Sequence, residues 1–525
     1  MTVALLNALS LWGTQSTLIR VEVHLSGGLP TFKIVGMSSH AAQATTERVR
    51  AAINSCGYTF PVGRLTVNLS PSDVPKHTAG TDLAIAVGIL LATQQVSFNA
   101  SQTGSPVRQA YEPKAWVFLG ELSLSGTLLD VSHLLPMLLT LAKDHPHACV
   151  MLPRQQLHHL PHLPNLNIMG VSTLNEACQV LTGKTQAVWF KQTVDLNHLK
   201  NPILDLCLSD VRGQGEAVRA LEIAAAGGHH LLLAGSAGAG KSLLAKRLVS
   251  LLPELNAQAA LEVAAIQCFA SPNPQVNWGR PVRSPHSRTT LVAMTGGGVY
   301  AMPGEVTFAH HGVLILDEAA EFERSVLDAL REPIETGVVH VSRLKARLSH
   351  PAAFQLVMTT NLCPCGWFGH PSHACRCQST IRERYQRALS GPLLDRIDLA
   401  LTLHAPTHAW QLQPKAPPST VVRQRVARAQ KRAINRQGCL NRVLQLPQIE
   451  SLRLIDDAVW GILNRATQRL ALSTRSQLKA LRVAITCADL DQAINTSQDH
   501  VTHVGVEHIS EALGYRLHTT GKKIL

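Results

Sequence analysis

A phosphate-binding loop in the middle of the chain constrains the fold more than any other feature. The apolar stretch His229–Ala234 leads into the loop, and the helical pattern Leu243–Leu252 follows it; the loop reads Gly235, Ser236, Ala237, Gly238, Ala239, Gly240, Lys241, Ser242. This is G-x-x-x-x-G-K-S between a strand and a helix, which is the context that the motif requires. Glycines let backbone N–H groups face phosphates, and the helix presents its positive end to the same anions. The sequence therefore predicts an α/β core that binds ATP.

Two acids at the end of a second apolar strand complete the predicted nucleotide site. Residues 312–316 read GVLIL, and Asp317 and Glu318 follow them. Acids at the end of a buried strand are costly unless a metal or a partner uses them. We expect Ser242 and Asp317 to hold Mg²⁺ and Glu318 to polarise the attacking water. An ordinary strand end beside solvent is the alternative, and the upstream phosphate loop weighs against it.

Length and composition indicate a globular protein of about three domains. The chain has 525 residues, of which 45% are hydrophobic and 16% charged. We expect domains at residues 1–190, 200–405 and 420–525, the last mostly helical. No apolar run approaches a membrane span, and no basic segment precedes an apolar stretch at the N-terminus, which predicts a cytoplasmic protein with no membrane contact. The net charge of +13 favours a polyanionic partner only modestly.

Four of the 11 cysteines lie close together in the sequence. Cys363 and Cys365 form one C-x-C pair, and Cys375 and Cys377 form another after nine intervening residues. Four thiolates on one short loop, residues 363–377, suffice for a closed tetrahedral Zn²⁺ site. The pairs are tighter than the usual C-x₂-C spacing, and four free thiols in a reducing cytosol are the alternative. We expect a structural zinc, because no open coordination position is left for catalysis.

Two basic segments are candidates for contact with DNA. Val338–His350 has strand-like ends around a basic centre, where Arg343, Lys345 and Arg347 stand at every second position. On extended backbone these three would share a face. A hairpin in this segment resembles the pre-sensor-1 insertion of helicase-like AAA+ rings, which projects into the central pore, where such charges would grip phosphates without reading sequence. A solvated hairpin is the alternative. The second segment, Ser419–Gln437, carries six basic residues and is expected to be a solvated helix face.

Several further segments carry a resemblance to a known family. They are Asp205–Gly227, Arg283–Ser287, Phe354–Asn361, Ser390–Leu399 and Leu472–Asp489. Together they resemble the magnesium-chelatase-like AAA+ proteins of the ComM/YifB family, over residues 3 to 517. The resemblance implies a P-loop AAA+ core, a C-terminal helical lid and a homo-hexameric ring.

The same resemblance assigns roles to three residues outside the phosphate loop. Asn361 resembles sensor 1, which helps to orient the lytic water. Arg396 resembles the arginine finger, which reaches the γ-phosphate bound by a neighbouring subunit, and Arg475 resembles sensor 2, which contacts the nucleotide from the lid. Positioned positive charge is what phosphoryl transfer needs. A surface ion-pair cluster around Arg396 and a solvated helix position for Arg475 are the alternatives.

Residues 1–190 resemble the Lon-protease-type α+β domain, which shares its fold with domain 2 of ribosomal protein S5. Asn68–Leu91 and Phe118–Pro136 carry this likeness. The position of the Lon nucleophile falls at Ala79–Thr81, where no serine stands, and the position of its lysine falls near Leu135. Without a nucleophile and a base there is no acyl-transfer chemistry. We therefore expect a non-proteolytic domain used for ring assembly or DNA contact.

Two kinds of function follow from these resemblances. The first is a hexameric ATPase motor on single-stranded and branched DNA, a helicase or branch-migration enzyme acting in natural transformation and homologous recombination alongside recombination proteins. The second is an AAA+ ATPase that does not act on DNA, either a chelatase-type subunit or a protein remodeller. The positive charge, the basic hairpin and the degenerate Lon-like domain favour the first. DNA-stimulated ATP hydrolysis would separate the two.

Overall fold

The chain forms two compact units. One contains Met1–Leu199 together with Ala260–Val276 and Val299–Met302, and the other contains Lys200–Ala259, Asn277–Gly298 and Pro303–Leu525. The computed structural model describes residues 2–72, 74, 76, 79–98, 116–163, 165–186, 188–190, 206–271, 276–298, 301–343, 346–405, 412–495 and 503–517.

A seven-stranded mixed sheet forms the centre of the first unit. Its order is β3-β4-β2-β1-β5-β8-β9, and β6 pairs separately with β7. The strands are β1 (Thr2–Trp12), β2 (Gln15–Ser26), β3 (Thr31–Val35), β4 (Arg64–Ser70), β5 (Trp116–Phe118), β6 (Glu121–Leu122), β7 (Leu128–Leu129), β8 (Cys149–Pro153) and β9 (Asn167–Val171). Alternate residues of β4 are buried, because successive side chains of a strand point to opposite faces of the sheet.

Among the described residues up to 190, four α-helices accompany this sheet. They are α1 (Ser39–Ser55), α2 (Asp82–Ala92), α3 (Leu134–Asp144) and α4 (Leu174–Leu181). Helix α2 is apolar on all sides and almost wholly buried, as expected of a central helix. At Gly88 a Cβ atom would lie 2.7 Å from side-chain atoms of Leu6 and Val23, so the glycine lets α2 pack directly on β1 and β2.

A five-stranded parallel sheet forms the centre of the second unit. Its order is β11-β14-β17-β10-β18. The strands from residue 231 onwards are β10 (Leu231–Gly235), β11 (Val282–Arg283), β12 (Gly296–Gly297), β13 (Met302–Pro303), β14 (Val313–Leu316), β15 (Val338–Arg343), β16 (Ala346–Pro351), β17 (Gln355–Thr360) and β18 (Leu399–Leu403). Every residue of β10, β14 and β17 is buried, which is typical of strands covered on both faces.

Short helices connect these strands. They are α5 (Gly215–Gly227), α6 (Lys241–Leu251), α7 (Ala257–Gln267), α8 (Leu291–Thr295), α9 (Glu305–Phe308), α10 (Arg324–Ala329), α11 (Arg331–Thr336), α12 (Ser379–Gln386) and α13 (Gly391–Leu394). From Ala260 onwards α7 groups with the first unit, where Ala264 and Cys268 join an apolar cluster with residues of α3. The sequence did not indicate that most of α7 groups with the first unit.

The C-terminal part is helical. Its helices are α14 (Ser419–Gln437), α15 (Leu446–Leu452), α16 (Asp457–Leu470), α17 (Thr474–Asn495) and α18 (Val506–Leu517). Among the described helices, none is both long and apolar enough to span a membrane.

The basic helix α14 is not the solvated face that the sequence predicts. Arg425 lies 2.7 Å from the buried carboxylate of Glu222, and Arg436 lies 2.7 Å from that of Asp489. Arg423 donates a hydrogen bond to the carbonyl of Ser250. The expectation was wrong for these arginines, because α14 packs against neighbouring helices whose acids and carbonyls need cationic partners.

Candidate nucleotide-binding site

The phosphate loop connects β10 to α6 at one edge of the parallel sheet. Gly238 and Gly240 have φ angles of 77° and 86°, in the left-handed region that favours glycine. A Cβ atom at either position would meet no atom within 4 Å, so space is open beside the backbone there. Helix α6 begins at Lys241 and directs its positive end at this loop. The loop therefore has the shape and the polarity that a phosphate chain requires.

Lys241 is buried within the loop. Its Nζ donates hydrogen bonds to the carbonyls of Gly235 and Ser236, at 3.0 and 2.7 Å. Burial lowers the pKa of Lys241, and the carboxylates of Asp317 and Glu318 act in the opposite direction. The ammonium group thus lies against the loop backbone and close enough to the two acids to feel their charge.

Asp317 and Glu318 follow β14 at the same edge of the sheet. The Ser242 hydroxyl donates to Oδ1 of Asp317 at 2.7 Å. A hydroxyl beside a carboxylate supplies the oxygen ligands that Mg²⁺ prefers, so these two residues fit the predicted metal site. Glu318 is exposed and has a φ angle of 54°, a strained conformation for a residue other than glycine and one that is concentrated at functional sites.

Thr359, near the end of β17, contacts both acids, a role that the sequence did not indicate. Its hydroxyl donates to Oδ1 of Asp317 and accepts a hydrogen bond from the backbone N–H of Glu318 at 3.1 Å. The available signal was a polar pair, Thr359 and Thr360, at the end of an otherwise apolar strand. Asn361 comes directly after β17, and since β17 lies between β14 and β10, Asn361 follows the strand between the acids and the phosphate loop.

Arg396 and Arg475 lie beside each other, although 79 positions separate them in the sequence. Nη2 of Arg396 is 3.0 Å from Oε2 of Glu335, and Nη2 of Arg475 is 2.6 Å from Oε1 of the same carboxylate. Nη1 of Arg475 also donates to Asp395 at 3.1 Å. Among the described residues, no hydrogen-bond or ion-pair partner of either guanidinium group belongs to the phosphate loop of the same chain.

The four clustered cysteines converge on one point. The Sγ atom of Cys365 is 3.3 Å from that of Cys363 and 3.6 Å from that of Cys375, and all four sulfurs, including Cys377, lie within 4.8 Å of one another. A tetrahedral zinc with Zn–S bonds of about 2.3 Å places its sulfurs about 3.8 Å apart. The four thiols therefore fit a closed structural zinc site.

Two thiols of the cluster have pKa values shifted in opposite directions. The N–H group of Trp367 lowers the pKa of the Cys365 thiol, whereas burial raises that of Cys363. The backbone N–H of Phe368 donates to Sγ of Cys363 at 3.3 Å. Ionisation of all four thiols at once requires a positive charge among them.

The cysteine loop touches the phosphate loop. The N–H of Ala237 donates to the carbonyl of Gly366 at 2.7 Å. Gly366 has a φ angle of 79°, and a Cβ atom there would lie 3.1 Å from the Cβ of Ala237. The loop that carries the thiols therefore supports the backbone that faces the phosphates, a contact that the sequence did not indicate.

The basic segment before β17 forms a hairpin of β15 and β16. The antiparallel register pairs Ser342 with Arg347 and Arg343 with Ala346, so the chain reverses within the basic centre. The hairpin expected in this segment is therefore present, and its register places Arg343 and Arg347 on different strands, so these two do not share the face of a single extended strand. Lys345 lies outside the described residues, and the side chains of Arg343 and Arg347 are not described.

These features define a class of protein. The sheet is parallel, with the phosphate loop after β10, two acids after β14 and a polar residue after the strand between them. This combination is that of a P-loop ATPase core of the AAA+ class.

Comparisons with known proteins place the chain within that class. The family model described as magnesium chelatase, subunit ChlI, matches residues 207–410; related models for subunit ChlI of Mg-chelatase and for the ChlI C-terminal part match residues 21–156 and 416–516. The YifB protein of Escherichia coli is 37% identical over 98% of this chain and 97% of its own length. Competence protein ComM of Haemophilus influenzae is 35% identical over 98% of both chains. The chain belongs to the ComM/YifB family of magnesium-chelatase-like AAA+ ATPases.

Proposed function

We propose that this protein is an ATP-driven motor that works as a homo-hexameric ring on single-stranded and branched DNA. It would act as a helicase or branch-migration enzyme on recombination intermediates during natural transformation, in the cytoplasm and together with recombination proteins. The observation that carries the ATPase part is the group formed by Lys241, Ser242, Asp317 and Glu318 around an open phosphate loop.

ATP hydrolysis follows from the positions of these side chains. The loop backbone and Lys241 would hold the β- and γ-phosphates, and Ser242 and Asp317 would hold Mg²⁺, whose charge would neutralise negative charge that develops on the phosphates. Glu318 polarises the attacking water and Asn361 orients it. Thr359 fixes both acids through one hydroxyl. Catalysis here rests on positioning and charge, as is general for phosphoryl transfer.

The ring is supported by the placement of the two arginines. Arg396 and Arg475 form ion pairs with acids of their own chain. Among the described residues, neither guanidinium group has a hydrogen-bond or ion-pair partner in the phosphate loop of the same chain. A positively charged pair that is separate from its own site can complete the site of a neighbouring copy. Head-to-tail contacts of this kind close into a cyclic oligomer, here a hexamer. Residues 420–525 would serve as the lid that carries Arg475.

DNA as the partner is supported by charge and by a relative. The net charge is +13, and one relative carries the name competence protein. We propose that Arg343, Lys345 and Arg347 at the hairpin tip contact DNA phosphates in the ring pore. Residues 1–190 would form a Lon-protease-like domain without proteolytic chemistry, used for assembly or DNA contact. The four cysteines would hold a structural Zn²⁺.

A second function has a specific observation in its favour. All three matching family models are described as parts of a magnesium chelatase subunit. The chain would then be an AAA+ ATPase that drives a chelatase or remodels a protein, and DNA would not affect its ATPase rate.

Steady-state ATP hydrolysis with no DNA, with single-stranded DNA and with a four-way junction tests the proposal. We expect strong stimulation by DNA that is lost at raised salt, because phosphate contacts release counterions. Lys241→Ala should abolish ATP binding and hydrolysis, and Glu318→Gln should retain binding but lose hydrolysis. An ATPase rate indifferent to both DNAs, with no DNA binding at modest salt, would refute the motor and favour the second function.

A further inference from the structure

Glu335 is an acid to which no motif assigned a role, and it lies between the two arginines. It stands in the last turn of α11, while Arg396 follows α13 and Arg475 lies in the first turn of α17. The two carboxylate oxygens are divided between the two arginines, with Oε2 facing Arg396 at 3.0 Å and Oε1 facing Arg475 at 2.6 Å. One side chain thus links three separate elements at a single point.

The carboxylate of Glu335 compensates the positive charges of the two arginines. Two guanidinium groups repel each other, and an arginine in the first turn of a helix also meets the positive end of that helix. Glu335, with Asp395 at 3.1 Å from Arg475, supplies two negative charges against the two positive ones. The side chain of Glu335 is 39% exposed, so the contribution of these ion pairs to stability is small. The main effect of these ion pairs is to fix the positions of the two arginine side chains.

Arg396 keeps donors available while it is held. Its Nε donates to the carbonyl of Arg331, its Nη1 to that of Pro392 and its Nη2 to Glu335. A guanidinium group has five N–H donors, so two have no described partner within the chain. The side chain is therefore fixed in direction and is still able to donate to a phosphate from another subunit.

We infer that Glu335 is a positioning residue that holds Arg396 and Arg475 side by side, so that both reach the ATP of the neighbouring subunit. The inference rests on the proposed ring. Glutamate suits this task because it offers one oxygen to each arginine. Glutamine would offer one oxygen and one N–H₂ group, and the latter repels a guanidinium donor. Glu335→Gln should therefore displace one arginine without affecting ATP binding by the same chain.

Mixed rings test the inference. A donor chain carrying Lys241→Ala cannot bind ATP but keeps both arginines, and an acceptor chain carrying Arg396→Ala keeps its ATP site. Each of these two chains should be inactive alone. When they are mixed, ATP hydrolysis should return at sites where the arginines of a donor face the ATP bound by an acceptor. Adding Glu335→Gln to the donor should lower the restored kcat about ten- to a hundredfold with KM for ATP unchanged, because small displacements of catalytic charge have effects of that order. Adding it to the acceptor should change nothing.

Glu332→Gln in the donor is the matched control, because Glu332 is an exposed acid of the same helix that faces His340 instead of the arginines. Failure of the unmodified donor to restore hydrolysis would refute the ring and not Glu335 in particular. Equal restoration by the Glu335→Gln and unmodified donors would overturn the positioning role alone. The positioning role would also be overturned if Glu335→Gln in the acceptor lowered the restored rate equally, or if the Glu335→Gln donor failed to enter mixed rings.

Discussion

At the scale of single residues, the nucleotide site shows how a hydroxyl can organise two acids. Asp317 and Glu318 are adjacent in sequence, yet their roles require different positions. Asp317 accepts hydrogen bonds from Ser242 and Thr359, whereas Glu318 is turned out by its left-handed backbone and donates its N–H to Thr359. One residue of β17 therefore holds apart the proposed metal ligand and the acid proposed to act on water.

Thr359→Val should lower kcat for ATP hydrolysis about ten- to a hundredfold while leaving KM nearly unchanged, because it misplaces the acids without touching the phosphate loop. Thr359→Ser keeps the hydroxyl and should restore most of the rate. Thr307→Val is the control, since the Thr307 hydroxyl is buried and has no described partner. Equal kcat for the valine variant and the natural protein would refute the role of Thr359.

At the scale of elements, the cysteine loop contacts the phosphate loop directly. The bond from Ala237 to Gly366 joins them through backbone atoms, so the geometry of one depends on the order of the other. A metal bound by the four thiols would fix the loop and, through Gly366, the inner wall of the nucleotide site.

Cys363→Ser should remove about one equivalent of zinc per chain and weaken ATP binding severalfold, because the Gly366 carbonyl loses its fixed position. Metal analysis and binding of a fluorescent ATP analogue in the presence of Mg²⁺ measure the two effects. Cys439→Ser, outside the cluster, should change neither. Protein that contains no zinc, or ATP affinity that persists after zinc removal, would contradict this prediction.

A second feature at this scale is the buried polar group where β10 and β18 begin. Burial by itself would raise the pKa of Asp398, but Lys479 of α17, with His229 and His230, holds that pKa well below its ordinary value. Burial lowers the pKa of His229 to about 4; the nearby Asp398 opposes this change, and Arg442, Arg482 and Lys479 add to it. His229 is therefore neutral in the fold and donates to or accepts from Thr486 at 2.8 Å.

Stability should consequently fall as pH falls from about 6.5 to about 4. In this window the unfolded chain takes up a proton at His229 and the folded chain does not, at a cost of up to roughly 3 kcal/mol. Thermal midpoints across this range should fall less steeply for His229→Gln than for the natural protein. The same substitution at the exposed His340 should leave the slope unchanged. Identical slopes for the His229 variant and the natural protein would show that His229 is not the titrating group.

At the scale of the whole molecule, the proposed functional unit is larger than one chain. The site holds the phosphate loop, the acids and Asn361, but the described contacts of Arg396 and Arg475 lie with Glu335 and Asp395 instead. A single chain would thus carry a nearly complete site and also the arginines for another one.

Glu318→Gln should form rings in ATP with about six times the mass of the 56.8 kDa chain, because trapped ATP lets each arginine pair bind the next site. Analytical ultracentrifugation measures this mass. Lys241→Ala, which lacks bound ATP, should show fewer rings at the same concentration. A monomer for Glu318→Gln in saturating ATP would contradict the assembly mechanism.

The sequence by itself determined the parts of this protein that depend on local order along the chain. The phosphate loop must lie between a strand and a helix, and acids must end a buried strand, so the spacing of Gly235–Ser242 and Asp317 was enough to predict the α/β core. The clustering of the four cysteines was equally predictable from the sequence, because all four belong to one short loop.

Tertiary structure decided the features that join distant segments. The hydroxyl of Thr359 meets Asp317 across neighbouring strands, Gly366 meets Ala237 across more than a hundred residues, and Glu335 meets Arg475 across 140. Helix α14 looked solvated because its acidic partners lie far away in sequence. Such contacts depend on which surfaces pack together, and packing is set by the sum of many weak interactions that no local pattern records.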